Sequence, residues 1–565
     1  MEPVRPDPPA AALDSMAAAR AVLETLGAAG VAHLVLSPGS RSAPLAYAAA
    51  EAEAAGLLTV HVRIDERDAG FTALGLSLAS GAPVAVATTS GTAVGELLPA
   101  VMEANHAAVP LILLSADRPA ELHGTGANQT TDQAGLFGTH VRGAVVVPAG
   151  RDPRAPVRQS AAAALAAPRG PVQINLEFRD PLAPEPGAPM RIPVRPAPAA
   201  TAARAEPSVP APEGAERRRT VVLAGHDAGG VAARFAEAHG LPLLAEPSSN
   251  ARSGPNAIGP YRLLIGTFAR AAQPIERVVV FGRPTLSRPV ARLLGDATVP
   301  AALYAPEPVA WFEPGRRRER VVADLGELSA FAGAAPDGWL AAWREAAAAA
   351  DGVIAAELDT ARAPTGPGLA RAVWAAGAGP LVIGSSNAVR DADLWADPAA
   401  ATAERRVFAN RGLAGIDGTL ATAAGISIAS RERTTVLVGD VTLLHDVGGL
   451  HLGAGETEPE LDVVVLNDAG GAIFSTLEHG AVEAGGAYGD AVERFFATPH
   501  AVDLSALATA YGLAYAEVRT TAELAAALAA PAGAARRVID VKMPRGDVRG
   551  RTRRIAEAVE RAIGG

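Results

Sequence analysis

The chain has 565 residues, a formal net charge of −10 and no cysteine, and Lys542 is the only lysine among its 50 basic residues. The lack of cysteine excludes disulfides, thiolate nucleophiles and cysteine-ligated zinc or iron–sulfur sites. A single lysine leaves little room for a Schiff-base mechanism or a phosphate-binding P-loop. An electrophilic catalyst in this chain therefore has to be a metal ion or an organic cofactor.

The length predicts about three or four domains of roughly 100–200 residues each. The hydrophobic fraction is 49% and the aromatic fraction only 4%, which is typical of a helix-rich α/β protein. The acidic balance disfavours nucleic acid as a partner. No apolar run reaches the ~18–20 residues that span a membrane. The first residues, MEPVRPDPPAA, do not resemble a secretory signal. We therefore expect a cytoplasmic protein with no membrane span.

The first block of the chain has the pattern of a parallel sheet. Residues 1–11 predict a disordered tail, and from Met16 a helical pattern leads into the strand VAHLVL. Strand–turn–helix units then recur at PVAVAT, VPLILLSAD and PVQINLEF. Apolar strands that alternate with helices predict a parallel sheet covered on both faces. Residues 12–181 are thus predicted to form one α/β domain.

Two further blocks follow a linker. Residues 182–217 are rich in proline and alanine and predict an extended connection. The second block, 218–350, has strands at TVVLAG, RVVVFG and AALYAP, followed by a helix near 339–358. The third block, 360–565, has strands at PLVIGSS, RVFAN, TVLVGD, LDVVVLND and RRVIDVK. The overall prediction is an α/β protein of three doubly wound parallel-sheet domains.

The third block carries a candidate metal site at two strand ends. Gly439 and Asp440 end one apolar strand, and Asn467 ends the next strand 27 residues later. Because the carboxyl ends of parallel strands meet at one edge of a sheet, the two side chains should lie together. A carboxylate, an amide oxygen and a backbone carbonyl suit Mg²⁺, and Gly470 and Gly471 allow a diphosphate to approach. Each motif alone is better explained by ordinary strand-end turn residues, and only the pair at this spacing makes the two interpretations equally good.

The spacing of this pair resembles the diphosphate and magnesium motif of thiamine diphosphate enzymes. Val441 and Asp468 stand where that motif has glycine and asparagine. Those enzymes also need a glutamate that shares a proton with the aminopyrimidine ring of the cofactor. Glu66, at the start of a predicted helix, is the candidate. An acidic residue in a first helical turn is also favoured by the helix macrodipole, so Glu66 alone is not diagnostic.

A longer series of motifs is far more specific. SPGSRSAPL, RIDERDAGFTALGLS, TTSGTAVGELLPAVMEA, SADRP, GANQ, NRGLAGIDG, GDVTLLHD and GGAIFSTLE occur in this order. Together they resemble the 2-succinyl-5-enolpyruvyl-6-hydroxy-3-cyclohexene-1-carboxylate (SEPHCHC) synthase family of menaquinone biosynthesis. The resemblance covers both outer blocks and, through FGRPTLSRP, weakly the middle one. It implies a pyrimidine-binding domain, a central domain and a diphosphate-binding domain.

The resemblance assigns cofactor roles to several positions. Glu66 should face the aminopyrimidine, and Gln129 should act as an orienting hydrogen-bond donor in catalysis. Ile416 should be the apolar prop that keeps the cofactor bent. The diphosphate and its Mg²⁺, with Mn²⁺ as the alternative ion, should be held by Gly439, Asp440, Thr442, Asn467 and the carbonyl of Ala469.

The implied substrates, 2-oxoglutarate and isochorismate, are both dicarboxylates, and a guanidinium is a good partner for a carboxylate. In GSSNAVR the family binds the 2-oxoglutarate carboxylate. The polar candidates for substrate binding are Ser40, Arg41, Arg118, Asn128, Gln129, Arg288, Ser386, Arg390 and Arg411. The candidates for an apolar wall are Ile473, Phe474 and Leu477.

The implied reaction is decarboxylation of 2-oxoglutarate and 1,4-addition of the resulting enamine to isochorismate, with release of CO₂. The resemblance also implies a homodimer or a dimer of dimers, with Glu66 and Asp440 acting across the interface. One alternative is another 2-oxo acid carboligase, such as an acetohydroxyacid synthase. A second is a nucleotide-binding oxidoreductase or a non-catalytic module, although no GxGxxG follows the first strand of any block.

Overall fold

The computed structural model describes residues 12–191, 207–211, 214, 216–313, 315–359, 361, 363–400, 405–484 and 486–563. The predicted tail at 1–11 and half of the predicted linker lie outside these residues. The chain divides into two compact units, one made of 1–202 with 451–457 and the other of the remaining residues. Among the described helices, none has both the length and the apolar character that crossing a membrane requires.

The first unit contains a sheet of six parallel strands in the order β2-β1-β3-β4-β6-β5. The strands are β1 His33–Leu36, β2 Thr59–Val62, β3 Val84–Thr88, β4 Leu111–Asp117, β5 Ala144–Val147 and β6 Val172–Glu177. The helices are α1 Ser15–Ala28, α2 Ala43–Ala54, α3 Glu66–Ser80, α4 Thr92–Glu96, α5 Leu98–His106 and α6 Arg154–Leu165.

Local sequence explains where helix α3 begins and ends. The Asp65 side chain accepts hydrogen bonds from the backbone N–H groups of Arg67 and Asp68 and so caps the amino terminus. The helix ends at Gly81, whose φ of 70° is the left-handed conformation that glycine adopts readily. This pair of signals places Glu66 in the first turn, at the carboxyl-terminal edge of the sheet.

The central block, in the second unit, has five parallel strands in the order β11-β10-β9-β7-β8. The strands are β7 Thr220–Ala224, β8 Leu243–Ala245, β9 Arg277–Phe281, β10 Ala301–Tyr304 and β11 Arg320–Val322. The helices are α7 Gly230–His239, α8 Tyr261–Arg270, α9 Arg288–Gly295, α10 Leu325–Ala332 and α11 Trp339–Asp359.

The third block, also in the second unit, has six parallel strands in the order β13-β12-β14-β15-β17-β16. The strands are β12 Leu381–Ile383, β13 Val407–Phe408, β14 Thr434–Gly439, β15 Leu461–Asn467, β16 Ala514–Val518 and β17 Arg536–Lys542. This order repeats that of the first sheet, strand for strand. The predicted α/β fold with three parallel sheets is therefore confirmed.

The third block also has ten described α-helices. They are α12 Gly366–Ala375, α13 Asn387–Trp395, α14 Thr419–Ser430, α15 Asp440–His445, α16 Ile473–Thr476, α17 His479–Ala484, α18 Gly489–Val492, α19 Leu504–Ala510, α20 Thr521–Ala529 and α21 Val548–Ile563, with a short π-helix at Glu493–Ala497.

Buried polar contacts join the central sheet to helix α13 within the second unit. The guanidinium of Arg252 donates to the carbonyls of Asp393 and Ala396 at 3.0 and 2.8 Å. The hydroxyl of Tyr261 donates to the carboxylate of Asp393 at 2.5 Å. Arg252, Tyr261 and Asp393 are all at most 3% exposed. Such bonds in a low-dielectric interior fix the position of the central block against α13.

Candidate active site

The second unit has a cleft at the carboxyl ends of strands β14 and β15. The two strands are adjacent and parallel, with Gly439 opposite Leu466. Asp440 and Asn467 therefore meet at one edge of the sheet, as the sequence predicts. The cleft is lined by Gly439, Asp440, Thr442, Ser386 and Ile473, among others. The crevice at the carboxyl ends of the strands is where open parallel sheets bind ligands.

Asp440 is a buried carboxylate held by its neighbours. It is 1% exposed. One oxygen accepts from the backbone N–H of Val441 at 2.7 Å, and the other accepts from that of Gly470 at 2.9 Å. His500 Nε2 lies 3.2 Å from the second oxygen. Burial raises the pKa of Asp440, and these hydrogen bonds and His500 oppose the rise. The carboxylate is thus fixed in one orientation at the cleft wall.

Asn467 and Ala469 supply two further oxygens beside Asp440. The Asn467 Oδ1 atom accepts from the backbone N–H of Ala469 at 3.2 Å, and Ala469 has a φ of 58°. The Ala469 carbonyl accepts from the Arg545 guanidinium at 2.7 Å. Burial and the nearby charge of Asp440 raise the pKa of Asp468 to about 7. A carboxylate, an amide oxygen and a carbonyl are the hard ligands that Mg²⁺ prefers, so the residues fit a magnesium ion.

The rest of the cleft fits a diphosphate group. A Cβ atom built on Gly439 would meet nothing within 4 Å, so the space beside the backbone is open there. The amino-terminal residues of helices α12, α13 and α21, which are Gly366, Asn387 and Val548, line the cleft. Unpaired backbone N–H groups and the helix dipole make such ends favourable for anions. Thr442, which is 2% exposed, adds a hydroxyl to the lining.

Two of the predicted substrate arginines are close to each other in the second unit. Arg411 is 4% exposed, and its guanidinium donates to the Thr285 hydroxyl at 2.7 Å. Arg390 donates to the carbonyl of Ser386 at 2.7 Å. Burial, and then the charge of Arg411, lower the pKa of Arg390. Two guanidiniums that repel each other in a buried setting favour an anion near both.

Several other predicted residues of this unit are not among those that line the cleft. The Arg288 side chain is 75% exposed and pairs with Glu478 at 3.0 Å. Ile416 is half-buried in the loop before α14. Phe474 packs against the ring of Phe496, and Leu477 follows helix α16. Of the apolar candidates, only Ile473 is among the residues that line the cleft.

Glu66 lies in the first unit, as the first residue of α3. Its side chain is half-buried, and burial raises its pKa. The neighbouring charges of Asp65 and Glu96 raise the pKa further. A carboxyl group with a raised pKa exchanges a proton more readily near neutral pH.

A second arginine pair lies at the carboxyl ends of the strands in the first unit. Arg118 donates to the Ser90 hydroxyl at 2.5 Å and to the Gln129 carbonyl at 2.7 Å. The Gln129 amide donates to the Ser90 carbonyl at 2.9 Å, and Gln129 has a φ of 56°. Arg41 donates to the carbonyl of Phe178 at 2.9 Å. Burial, and then Arg41, lower the pKa of Arg118.

The two remaining predicted residues of the first unit lie at its surface. Ser40 and Asn128 are exposed, in the loops that follow β1 and β4. Gln129 is also exposed, although its side chain is hydrogen-bonded. The structure thus brings Arg41, Arg118 and Gln129 into one region and leaves Ser40 and Asn128 at the surface.

Several residues that contact the predicted ones did not emerge from the sequence alone. Two of them lie inside quoted motifs, TTSGTA and FGRPTLSRP, and a third is an aspartate that interrupts the apolar strand RRVIDVK. A charge in the middle of a buried strand is a signal that could have been used. The residues are Ser90, Thr285, His500, Asp540 and Arg545.

Comparison with known families agrees with this architecture. Residues 16–136 match the model of the thiamine pyrophosphate enzyme N-terminal TPP binding domain. Residues 391–541 match that of the thiamine pyrophosphate enzyme C-terminal TPP binding domain. The fold and the cleft therefore define a thiamine pyrophosphate enzyme.

Individual relatives narrow this class. The chain is 58% identical to the "2-succinyl-5-enolpyruvyl-6-hydroxy-3-cyclohexene-1-carboxylate synthase" of Arthrobacter sp. (strain FB24), over 97% of this chain and 93% of the relative. It is 58% identical to the protein of that name from Paenarthrobacter aurescens (strain TC1), over 98% of each chain. The Renibacterium salmoninarum protein of that name is 53% identical over 98% of each. This chain belongs to the SEPHCHC synthase family.

Proposed function

We propose that this chain catalyses the thiamine diphosphate-dependent decarboxylation of 2-oxoglutarate and the 1,4-addition of the remaining four-carbon unit to isochorismate. The products are SEPHCHC and CO₂. The observation that carries the proposal is the meeting of Asp440, which lines the cleft, and Asn467 at one edge of the sheet, in a chain of this family.

The cleft residues hold the cofactor in this proposal. The carboxylate of Asp440, the amide oxygen of Asn467 and the carbonyl of Ala469 bind Mg²⁺. Gly439 and Thr442 lie beside the diphosphate. Bound thiamine diphosphate supplies an electron sink for the carbon that loses CO₂.

Glu66 holds and moves a proton at the aminopyrimidine ring. Its pKa, which burial raises, supports this role, because the carboxyl group then holds a proton more readily than an ordinary glutamate. Gln129 orients a substrate by donating a hydrogen bond. Its amide donates one hydrogen to the Ser90 carbonyl at 2.9 Å, and the second hydrogen of the NH₂ group serves the substrate.

The arginine pairs select dicarboxylates. Arg390 with Arg411, and Arg41 with Arg118, each present two cations whose mutual repulsion is relieved by a bound carboxylate. Ser386 lies beside Arg390, in the segment proposed to hold 2-oxoglutarate. An enzyme that used pyruvate would need small apolar contacts instead of these guanidiniums.

The proposal includes a homodimer or a dimer of dimers. Glu66 and Asp440 belong to different compact units of the chain. In the proposed assembly, Glu66 of one subunit and Asp440 of another act on the same cofactor. Each dimer then has two such sites, related by its twofold axis.

An assay of CO₂ release tests the proposal. With isochorismate supplied as the acceptor, the purified protein should release CO₂ from 2-oxoglutarate only when thiamine diphosphate and Mg²⁺ are both present. Pyruvate serves as the competing substrate. Turnover of pyruvate with none of 2-oxoglutarate would favour an acetohydroxyacid synthase-like carboligase. No turnover of either would favour a non-catalytic module.

A further inference from the structure

Asp540 is a buried carboxylate in the middle of strand β17. It is 0% exposed, and its backbone pairs with Val465 in β15 and with Glu517 in β16. A carboxylate in the interior of a sheet is costly unless donors satisfy its oxygens. Asp540 has three such donors, and they divide its two oxygens between them.

One carboxylate oxygen of Asp540 is held by two donors, Tyr515 and Lys542. Oδ2 accepts from the Tyr515 hydroxyl at 2.8 Å and from the Lys542 ammonium at 2.7 Å. Burial and the contact with Asp540 raise the pKa of Tyr515, so the hydroxyl keeps its proton and acts as the donor. Lys542 is the single lysine of the chain, and its ammonium group forms an ion pair with Asp540.

The other oxygen of Asp540 faces Asn467. Oδ1 accepts from the Asn467 Nδ2 atom at 2.9 Å. An ionised carboxylate only accepts hydrogen bonds, so it contacts the amide nitrogen of asparagine and not the amide oxygen. The Asn467 Oδ1 atom is thereby left on the side of Ala469, whose backbone N–H donates to it at 3.2 Å.

Only one end of the Asn467 amide can bind a cation. The amide oxygen can act as a ligand for Mg²⁺. The NH₂ group would instead point two hydrogens at the ion and could not bind it. Partners of metal ligands commonly fix ligand orientation in this way, and their loss lowers metal affinity about 10–100-fold.

We propose that Asp540 is a positioning residue, which fixes the Asn467 amide with its oxygen toward the divalent cation, while Tyr515 and Lys542 hold Asp540 in place. This inference rests on the proposed function, in which Asn467 is a magnesium ligand. It also gives the single lysine a role in holding the partner of a metal ligand.

The Asp540→Asn variant tests the inference. Tyr515 and Lys542 both donate to the Oδ2 position, so the new amide keeps its oxygen there and turns its NH₂ toward Asn467. Asn467 then has to rotate, and its own NH₂ faces the cation. We expect the apparent Mg²⁺ dissociation constant to rise about 10–100-fold. It is measured by titrating Mg²⁺ into the full-length protein with excess thiamine diphosphate and recording the heat of binding.

A matched control and a rescue variant separate positioning from general damage. Asp462→Asn makes the same chemical change at another buried strand aspartate, which is 4% exposed and pairs with Arg433 and Arg537. It should leave the Mg²⁺ affinity unchanged. The double variant Asp540→Asn with Asn467→Asp exchanges the two side-chain types and conserves charge. It should recover most of the affinity, because the carboxylate introduced at position 467 accepts from the new amide and presents an oxygen to the cation.

The outcomes distinguish the inference from the function on which it rests. Wild-type affinity in Asp540→Asn, or no recovery in the double variant, would overturn the inference alone. A wild-type protein that binds thiamine diphosphate equally well with and without Mg²⁺ would overturn the proposed metal site itself. If Asp540→Asn does not fold, a crystal structure of the wild-type protein with thiamine diphosphate and Mn²⁺ tests the inference instead. Asn467 bound to both Mn²⁺ and Asp540 supports the inference, and an Asp540 turned away from Asn467 contradicts it.

Discussion

The guanidinium of Arg411, in the third block, donates a hydrogen bond to the hydroxyl of Thr285, in the central block, at 2.7 Å. Thr285 is itself held, because its backbone N–H and that of Leu286 donate to Glu246 at 2.8 and 2.9 Å. The central block thus orients a side chain that we propose to bind substrate. This gives a function to the part of the chain with the weakest family motifs.

Removing the Thr285 hydroxyl should weaken substrate binding. Thr285→Val keeps the shape of the side chain, and a hydrogen bond to a charged group contributes about 1.5–3 kcal/mol. We expect the KM for one of the two substrates to rise about tenfold or more, with kcat changed much less. Steady-state kinetics with each substrate varied in turn measures both constants.

Thr298→Val is the control for this variant, because Thr298 is an exposed threonine that bonds Asp296 on the surface of the same block. Its KM values should match those of the wild type. A fall in kcat with unchanged KM in Thr285→Val would contradict the role given to Arg411.

The stability of the protein should depend on pH through Glu246. This residue is 2% exposed, and burial, followed by the charge of Asp393, raises its pKa from 4.5 to about 7. The folded state therefore binds the proton more tightly than the unfolded state, so stability falls as pH rises from about 4.5 to about 7. The full effect of such a shift is about 3 kcal/mol.

Glu246→Gln should remove this pH dependence, because its amide oxygen can still accept from Thr285 and Leu286 but the side chain does not ionise. The difference in Tm, variant minus wild type, should increase as the pH rises from 5 to 8. Thermal unfolding of both proteins across this range is the measurement. A difference in Tm that is constant with pH, or that decreases, would be inconsistent with the raised pKa.

Glu66→Gln should remove nearly all turnover without unfolding the protein. An amide cannot exchange the proton that the aminopyrimidine ring requires, and general acid–base groups contribute about 10²–10⁴-fold. We expect the rate of CO₂ release from 2-oxoglutarate to fall by at least about 100-fold, at an unchanged Tm. The control is Glu96→Gln, because the charge of Glu96 acts on Glu66 without being assigned a role in proton transfer. This variant should retain activity. Equal losses in both variants would argue against a proton-transfer role for Glu66.

Mixed dimers should show whether each active site uses two subunits. Glu66→Gln and Asp440→Asn are each expected to be inactive when alone. In a random mixture half of the dimers are mixed, and each mixed dimer has one site with both wild-type residues. Co-expression should thus restore about a quarter of wild-type activity. No recovery above the two parents would mean that Glu66 and Asp440 act within one chain.

Much of the fold could be predicted from the sequence, and the strands that were missed share a position. Buried central strands such as β4 and β15 are continuous apolar runs, which the sequence displays directly. The five strands that the sequence did not predict are all at the edges of their sheets. Edge strands have a neighbour on one side only and are shorter or more polar, so their patterns are weak. They are β2, β5, β8, β11 and β16.

The candidate site could be predicted where residues lie in contiguous motifs. Asp440 and Asn467 were expected to meet because parallel strands align their carboxyl ends, and they do. The partners that hold them come from distant segments. Asp540 is 73 residues from Asn467, and Thr285 is 126 residues from Arg411. Hydrophobic periodicity and motif spacing predict local structure and which strand ends share a sheet edge. Contacts such as Asp540 with Asn467 depend instead on how distant strands and blocks pack together.

The identity of the product tests the central claim most directly. We would supply uniformly ¹³C-labelled 2-oxoglutarate together with isochorismate, thiamine diphosphate and Mg²⁺, and analyse the products by mass spectrometry. The account predicts labelled CO₂ and SEPHCHC that carries four labelled carbons, with neither formed when the cofactor is omitted. Labelled CO₂ without labelled SEPHCHC, or turnover of pyruvate in place of 2-oxoglutarate, would contradict it.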